Sequence, residues 1–300
     1  MTSELPRPAG LQARDLPVDA HVHTNLSPDS GVPIDVYAAL AVELGIAEFA
    51  VTDHVDFDAR DPAYDYSTFA ERERVARDAA ERWAGRGLAI RFGAELTFNT
   101  SWEADLRDHL ARHRYDFTIG SVHDWPDSPY IPSRVGTWAT SRPLDEVLAP
   151  YLEQVTAAAR SGLFDTIGHI DVVKRYLHPR IGTAALAERA DLFEPALAAL
   201  VESGTALEVN TSGLHHGFGE TYPPAGLVNR FRELGGARIT TGSDAHRPEW
   251  LAYRLDEAYR IAGEAGFDAV TFRRAPRAAG SERVSIALPE RFARPGPVSR

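Results

Sequence analysis

The chain has no cysteine. Disulfides and thiolate metal ligands are therefore excluded, and any metal site must be assembled from imidazole and carboxylate. A cysteine-free chain is compatible with the cytoplasm, which is the location expected here. Lysine is almost absent, with Lys174 the residue that stands out, and no Lys/Arg-rich run occurs in a chain of formal net charge −11. That balance argues against a broad nucleic-acid-binding surface. No apolar run approaches the roughly 20 residues that span a bilayer, so no membrane partner is expected. The opening stretch MTSELPRPAGLQARDLP lacks the charged start and apolar segment of a signal peptide. There is no low-complexity linker and no short tandem repeat. Arg273, Arg274 and Arg277 read as a solvated surface or tail.

What is present is an ordinary globular composition, 44% hydrophobic and 25% charged over 300 residues. That length suits one large α/β barrel or two average domains. Strand-like runs at 18–21, 48–52, 89–96, 116–122, 165–170, 206–210, 238–242 and 269–272 alternate with amphipathic segments. The latter, at 34–45, 66–83, 144–160, 184–202 and 249–265, repeat apolar residues at three- and four-residue spacing. Gly45, Gly162, Gly204 and Gly235 fall just past helix ends, where a left-handed cap is common. Such β-α alternation implies a parallel sheet. A closed barrel is the first choice and a doubly wound open sheet the second. Residues 1 to about 15 and about the last 12, rich in Pro, Arg and Ser, read as frayed ends.

The strand candidates end in metal-ligand residue types. They close on His21 and His23, on Asp53 and His54, on Glu95, on His123, on His169 and Asp171, on Glu208 and Asn210, and on Asp244 and His246. In a parallel barrel all strand C-termini share one face, so these residues should converge there. His21 and His23 are two apart and project to one side of a strand, as do Asp244 and His246. So many imidazoles and carboxylates in one cleft would repel or shift one another's pKa unless cations separated them. The donor set suits Zn, Mn or Fe and does not choose among them.

At these residues the sequence resembles the polymerase and histidinol phosphatase (PHP) superfamily. The motifs HVHT, TDH, GAEL, GSVH, IGHIDVVKR, EVNTSG and GSDAH carry the resemblance, which covers roughly residues 17–275. It implies a distorted (β/α)7 TIM-like barrel and a single metallohydrolase domain over residues 1–300. It also implies three divalent ions. One would be held by His21, His23, Glu95 and Asp244; a second by Glu95, His123 and His169; a third by Asp29, His54 and His246. Asp29 lies in the turn-like stretch Ser-Pro-Asp-Ser.

Within the superfamily the chain is most similar to the monofunctional histidinol-phosphate phosphatases. The resemblance implies a phosphomonoesterase of histidine biosynthesis that attacks L-histidinol phosphate with a metal-bridging hydroxide. Glu95, Asp244 and His246 would be the catalytic residues, and Arg175 would grip phosphate oxygens with its planar fork. His215 and His216, where relatives often carry Arg-Lys after N-T-[AS]-G-L, would touch substrate. The unusual segment 124–143 would lie near it too, with Trp125, Tyr130 and Trp138 either covering the substrate or packing the loop down.

Other residues are read more plainly. Asp53 is either a support for a ligand imidazole or a helix N-cap, and Asp171 and Glu208 have the same standing. His109 and His113 fall on the solvent face of a polar helix. His178 either lines the cleft or is there by chance. Competing functions are phosphoester hydrolysis of a nucleotide, nucleoside bisphosphate or sugar phosphate, an amidohydrolase-like activity, a short nuclease, and a non-enzymatic metal-binding module. The partner in every enzymatic case except the nuclease is a small molecule; the sequence leaves the oligomeric state open.

Overall fold

Short runs of apolar and β-branched residues bounded by Gly and Asp form eight parallel strands in one sheet. The computed structural model describes residues 12–178, 180–276 and 283–293. In chain order its elements begin with β1 (Asp19–Val22), α1 (Ile34–Leu44), β2 (Glu48–Val51), β3 (His54–Val55) and α2 (Phe69–Ala84). There follow β4 (Ala89–Thr97), α3 (Glu103–Arg112), β5 (Phe117–Ser121), α4 (Pro132–Thr140), α5 (Leu144–Ser161) and β6 (Thr166–Ile167). Next come α6 (Val173–Leu177), α7 (Thr183–Glu188), α8 (Glu194–Ser203), β7 (Ala206–Asn210), α9 (Ser212–His215) and α10 (Ala225–Glu233). The last are β8 (Ile239–Gly242), α11 (Leu255–Glu264), β9 (Ala269–Phe272) and β10 (Val284–Ala287).

The strand order β1-β2-β4-β5-β6-β7-β8 runs round a barrel. It closes at the rim, where Val22 bridges to Ala245 and the Asp244 amide donates to the His21 carbonyl at 2.8 Å. β4 is the longest strand and serves two neighbours. Its first half pairs with β2, and its second half pairs with β3, placing His54 beside Glu95. Gly93 sits at the changeover, where a Cβ would lie 2.9 Å from the Phe117 carbonyl and 3.0 Å from that of Val51. β1, β2, β5 and β7 are buried at every residue, as strands covered on both faces must be. One hydrophobic cluster extends from Ala13 to Leu288.

Several expectations need correction. The run at 269–272 is a strand but not a barrel stave: β9 pairs antiparallel with β10 in a separate two-stranded sheet. Its Phe272 ring lies 4.7 Å from that of Phe117. Arg273, expected on the surface, is buried and donates to Asp165 at 2.8 Å, while Arg274 pairs with Glu48 at 2.7 Å. Phe117, Asp165 and Glu48 all stand at strand N-termini, so this ribbon covers the floor of the barrel, opposite the site. Arg277 lies outside the described residues.

The segment 184–202 is not one helix. Pro195, in the first turn of α8, cannot donate to a preceding turn, and a 3₁₀ turn at Ala190–Phe193 separates α7 from α8. The helix expected from 249 begins only at Leu255, after a 3₁₀ turn at Pro248–Trp250 and left-handed residues Ala252 and Arg254. Within 124–143, read as a loop, residues 132–140 form α4. Of the expected frayed ends, residues 12–15 and 289–293 are seated: the Ala13 amide donates to the Ala252 carbonyl, and the Phe292 ring lies 5.9 Å from that of Tyr259. Residues 1–11 and 294–300 lie outside the described residues.

Candidate metal centre and active site

The strand C-termini bring together all nine residues singled out in the sequence, six imidazoles and three carboxylates. Glu95, at the C-terminal half of β4, is the centre of the group. Its Oε2 lies 3.4 Å from His21 Nε2, 3.3 Å from His23 Nε2 and 3.0 Å from His54 Nδ1. Its Oε1 faces His123 Nε2 at 3.3 Å and His169 Nε2 at 2.8 Å. One carboxylate thus presents each oxygen to a different group of rings. Asp244 Oδ1 completes the first group, 3.6 Å from His21 and 3.4 Å from His23. A third group forms on Asp29, whose Oδ2 is 3.3 Å from His54 Nε2 and 3.0 Å from His246 Nε2.

These distances fit metal ions. His21 Nε2 and His23 Nε2 are only 3.0 Å apart. Four ligands on tetrahedral Zn–N and Zn–O bonds would stand about 3.3 Å from one another, close to the edges of the His21–His23–Glu95–Asp244 set. The tautomers agree. His21 Nδ1 bonds to buried Glu208 at 2.7 Å and His23 Nδ1 to Ser27 Oγ at 3.3 Å, so both Nε2 lone pairs point inward.

The bare cluster is electrostatically uneven. Burial opposes charging of His21, but Glu208, Asp244 and Glu95 outweigh it and hold the ring well above the ordinary range. His23 is pushed the other way, first by burial and then by His246 and His54. Glu95, despite burial, is held well below the usual carboxylate range by His54, His21 and His123. Divalent cations relieve this opposition by giving every lone pair one partner.

The surrounding chain is shaped to hold the ligands. His169 and Asp244 take left-handed backbone (φ 23° and 55°), uncommon for residues with side chains and a mark of strain held by the fold. Gly242 lets β8 approach β1: a Cβ there would lie 2.4 Å from His21 Cβ. Glu208 also accepts from the His169 amide at 3.0 Å, and Asn210 Nδ2 donates to Glu208 at 3.1 Å and to Asp244 at 3.3 Å. Asp53 neither holds a ligand ring nor caps a helix. It accepts from the Thr24 amide, Thr24 Oγ1 and Ser27 Oγ, fixing the turn after β1. Asp171 faces away and pairs with buried Lys174 at 2.8 Å.

A cavity of about 920 Å³ opens over the cluster. Asp56, Asp61 and Asp124 line it, as do Arg175, Arg180 and Arg247. His216 and His178 line it as well, with Tyr130 from the 124–143 segment. His215 does not: its ring is stacked on Trp250 at 4.1 Å and burial keeps its pKa down at about 3. Trp138 donates to the Val147 carbonyl and Trp125 packs edge-on to Tyr130, so both fasten the segment to the barrel. His109 and His113 are half-buried rather than solvent-facing; His109 bonds Tyr115 at 2.8 Å and His113 stacks on Phe69.

Sequence reasoning missed Ser121, whose hydroxyl donates to Glu95 Oε1. It also missed Asp19, which accepts from Ser243 and Ala252 and ties β1 to the Asp244 loop. Each lies two residues before a recognised ligand, on the same strand face, and that spacing was the available signal.

Fold and site together define a β/α-barrel metalloenzyme of the hydrolase class. The family model of the PHP domain matches residues 19–212, and the chain belongs to the PHP domain family. It is 31% identical to a Deinococcus radiodurans protein named "Probable histidinol-phosphatase", covering 85% of this chain and 96% of that one. A Lactococcus lactis protein named "Histidinol-phosphatase" is 27% identical, covering 83% and 91%. A crystal structure of L. lactis histidinol phosphate phosphatase, complexed with Zn, L-histidinol and phosphate, has the same fold. It matches with a TM-score of 0.73 at 23% identity, over 87% of this chain and 98% of that one.

Proposed function

We propose that this protein is a metal-dependent phosphomonoesterase that hydrolyses L-histidinol phosphate to L-histidinol and phosphate, a cytoplasmic step of histidine biosynthesis. The observation that carries the reading is the division of Glu95 between two sets of imidazoles beneath an arginine-lined cavity. The similarity to histidinol-phosphatases over nearly their whole length supports the choice of substrate.

His21, His23, Glu95 and Asp244 would hold one ion, Glu95, His123 and His169 a second, and Asp29, His54 and His246 a third. The donor set admits Zn, Mn and Fe alike, and the Zn held by the L. lactis histidinol phosphate phosphatase makes Zn the first to test. Bound there, such ions supply Lewis acidity, water made acidic enough to attack at neutral pH, and positive charge for the phosphate dianion. The chain's own residues do the rest. Glu208 and Ser27 fix the His21 and His23 tautomers. Arg175, which has no carboxylate partner among the described residues, meets phosphate oxygens from the α6 side. His216 stands beside it, its pKa lowered to about 4 by burial and by Arg175, and so is neutral at working pH. Asp244 or His246 would exchange a proton with the leaving alcohol, in addition to holding an ion.

The test is steady-state phosphate release from L-histidinol phosphate beside nucleoside monophosphates, a nucleoside bisphosphate and a sugar phosphate, with Zn-, Mn- and Fe-loaded protein. The reading expects kcat/KM of about 10⁴ M⁻¹s⁻¹ or more for L-histidinol phosphate and far less for the others. A preference for any other ester overturns the substrate assignment.

A further inference from the structure

We propose that Arg247 is a substrate-binding residue, a second guanidinium that grips the phosphate from the β8 side of the cleft while Arg175 grips it from the β6 side. The inference rests on the phosphatase reading for its substrate and on separate observations for the residue.

The first observation is that Arg247 has no anionic partner. Many exposed arginines of this acidic chain are paired, Arg60 with Asp58 and Asp127, Arg82 with Asp35, Arg189 with Asp191, Arg260 with Glu257. Exposed arginines without an ion pair among the described residues, such as Arg86, Arg114 and Arg160, do not line the cavity over the cluster. Arg247 forms no such pair among the described residues, although it lines a cavity that also holds Asp29 and Asp244. A guanidinium left free beside a ligand cluster is available to an incoming anion.

The second observation is that Arg247 is propped. Its guanidinium carbon lies 4.9 Å from the centre of the Trp250 ring. Trp250 is itself held by the nearly parallel ring of His215, 4.1 Å away and tilted by 12°, and His215 meets Tyr253 edge-on at 5.6 Å. Cation–π contact with a fixed indole limits where the arginine can go, so less entropy is lost when it binds. This also gives His215 a place: it supports the platform rather than facing the cavity.

The third is topological. Arg247 follows His246 directly, in the loop after β8, and Arg175 lies on α6 after β6. The β7 loop stands between them and contributes Ser212 and His216 to the cavity wall. Two planar forks approaching from staves on either side of β7 can hold different oxygens of one phosphate.

Inorganic phosphate is the probe. Its binding to Zn-loaded wild type, Arg247→Ala and Arg247→Lys is measured by calorimetry, with bound metal counted in each, alongside KM and kcat for L-histidinol phosphate. The expected result is phosphate affinity roughly ten- to a hundredfold weaker in Arg247→Ala, a rise in KM of similar size, and unchanged metal content. Arg247→Lys should recover only a small part, because an ammonium neither forks nor stacks in the same way. Phosphate affinity within twofold of wild type in Arg247→Ala overturns the proposal. So does a loss of bound metal in both variants, which would make Arg247 a support for His246. A wild type that binds phosphate through Arg247 but spares L-histidinol phosphate leaves the Arg247 assignment standing and fails the substrate reading.

Discussion

At the scale of single residues, function rests on tautomers as much as on ligands. Glu208 is the residue that orients His21, and it holds the His169 amide as well. Glu208→Gln should keep the volume but lose the charge that fixes Nδ1–H. Metal affinity is expected to fall about 10- to 100-fold, read by titration against a chelator of known affinity. A different residue sets part of the pH response. His109 is half-buried against Tyr115 and Phe57, and burial, aided by His113, lowers its pKa from the ordinary 6.5 to about 4. The folded state therefore favours the neutral ring, and the unfolded chain binds the extra proton first. This contribution to stability is full above pH 6.5 and is lost as pH falls from 6.5 towards 4. Urea midpoints measured across that window should fall less steeply in His109→Gln than in wild type.

At the scale of elements, the ends of the chain lock the floor of the barrel so that the rim can carry strain. The buried pair between Arg273 and Asp165 joins the residue after β9 to the one before β6. Arg273→Ala removes the 2.8 Å charged partner of Asp165, whose Oδ2 keeps the Thr118 amide while Arg283 stands farther off at 3.5 Å. Its unfolding free energy should drop by about 3 kcal/mol in urea, while metal content at the opposite rim stays unchanged.

This latch was illegible in the sequence, because a strand-length apolar run does not say which sheet it joins and an arginine near a terminus usually faces water. The seven staves and eight of the nine cluster residues were legible, since side-chain alternation and strand ends fix which residues share a face; Asp29, in a turn after β1, came only from the family resemblance. The two-residue β3 was not: it arises where β4, past Gly93, changes partner from β2 and pairs with His54 and Val55 instead. Arg180 and Arg247 were also missed, since a lone arginine in a loop carries no pattern. His215 was expected at the substrate from its place after TSGL, but the turn through α9 aims it at Trp250.

At the scale of the whole molecule, the core and the site are built on separate terms. The apolar cluster from Ala13 to Leu288 is complete without any ion, whereas the rim gathers six rings and three carboxylates that only cations reconcile. Removing metal should therefore leave helical circular dichroism close to wild type. It should lower the melting temperature, because ions that bind only the folded state add stability by mass action. Metal-dependent phosphatase activity is tested most directly by phosphate release from L-histidinol phosphate by protein stripped with a chelator and then titrated with Zn or Mn. Turnover should be absent in the stripped protein, return as metal is added, level off at a small whole number of ions per chain, and stay absent at every step in His21→Ala. Turnover that survives stripping, or that His21→Ala retains, would contradict it.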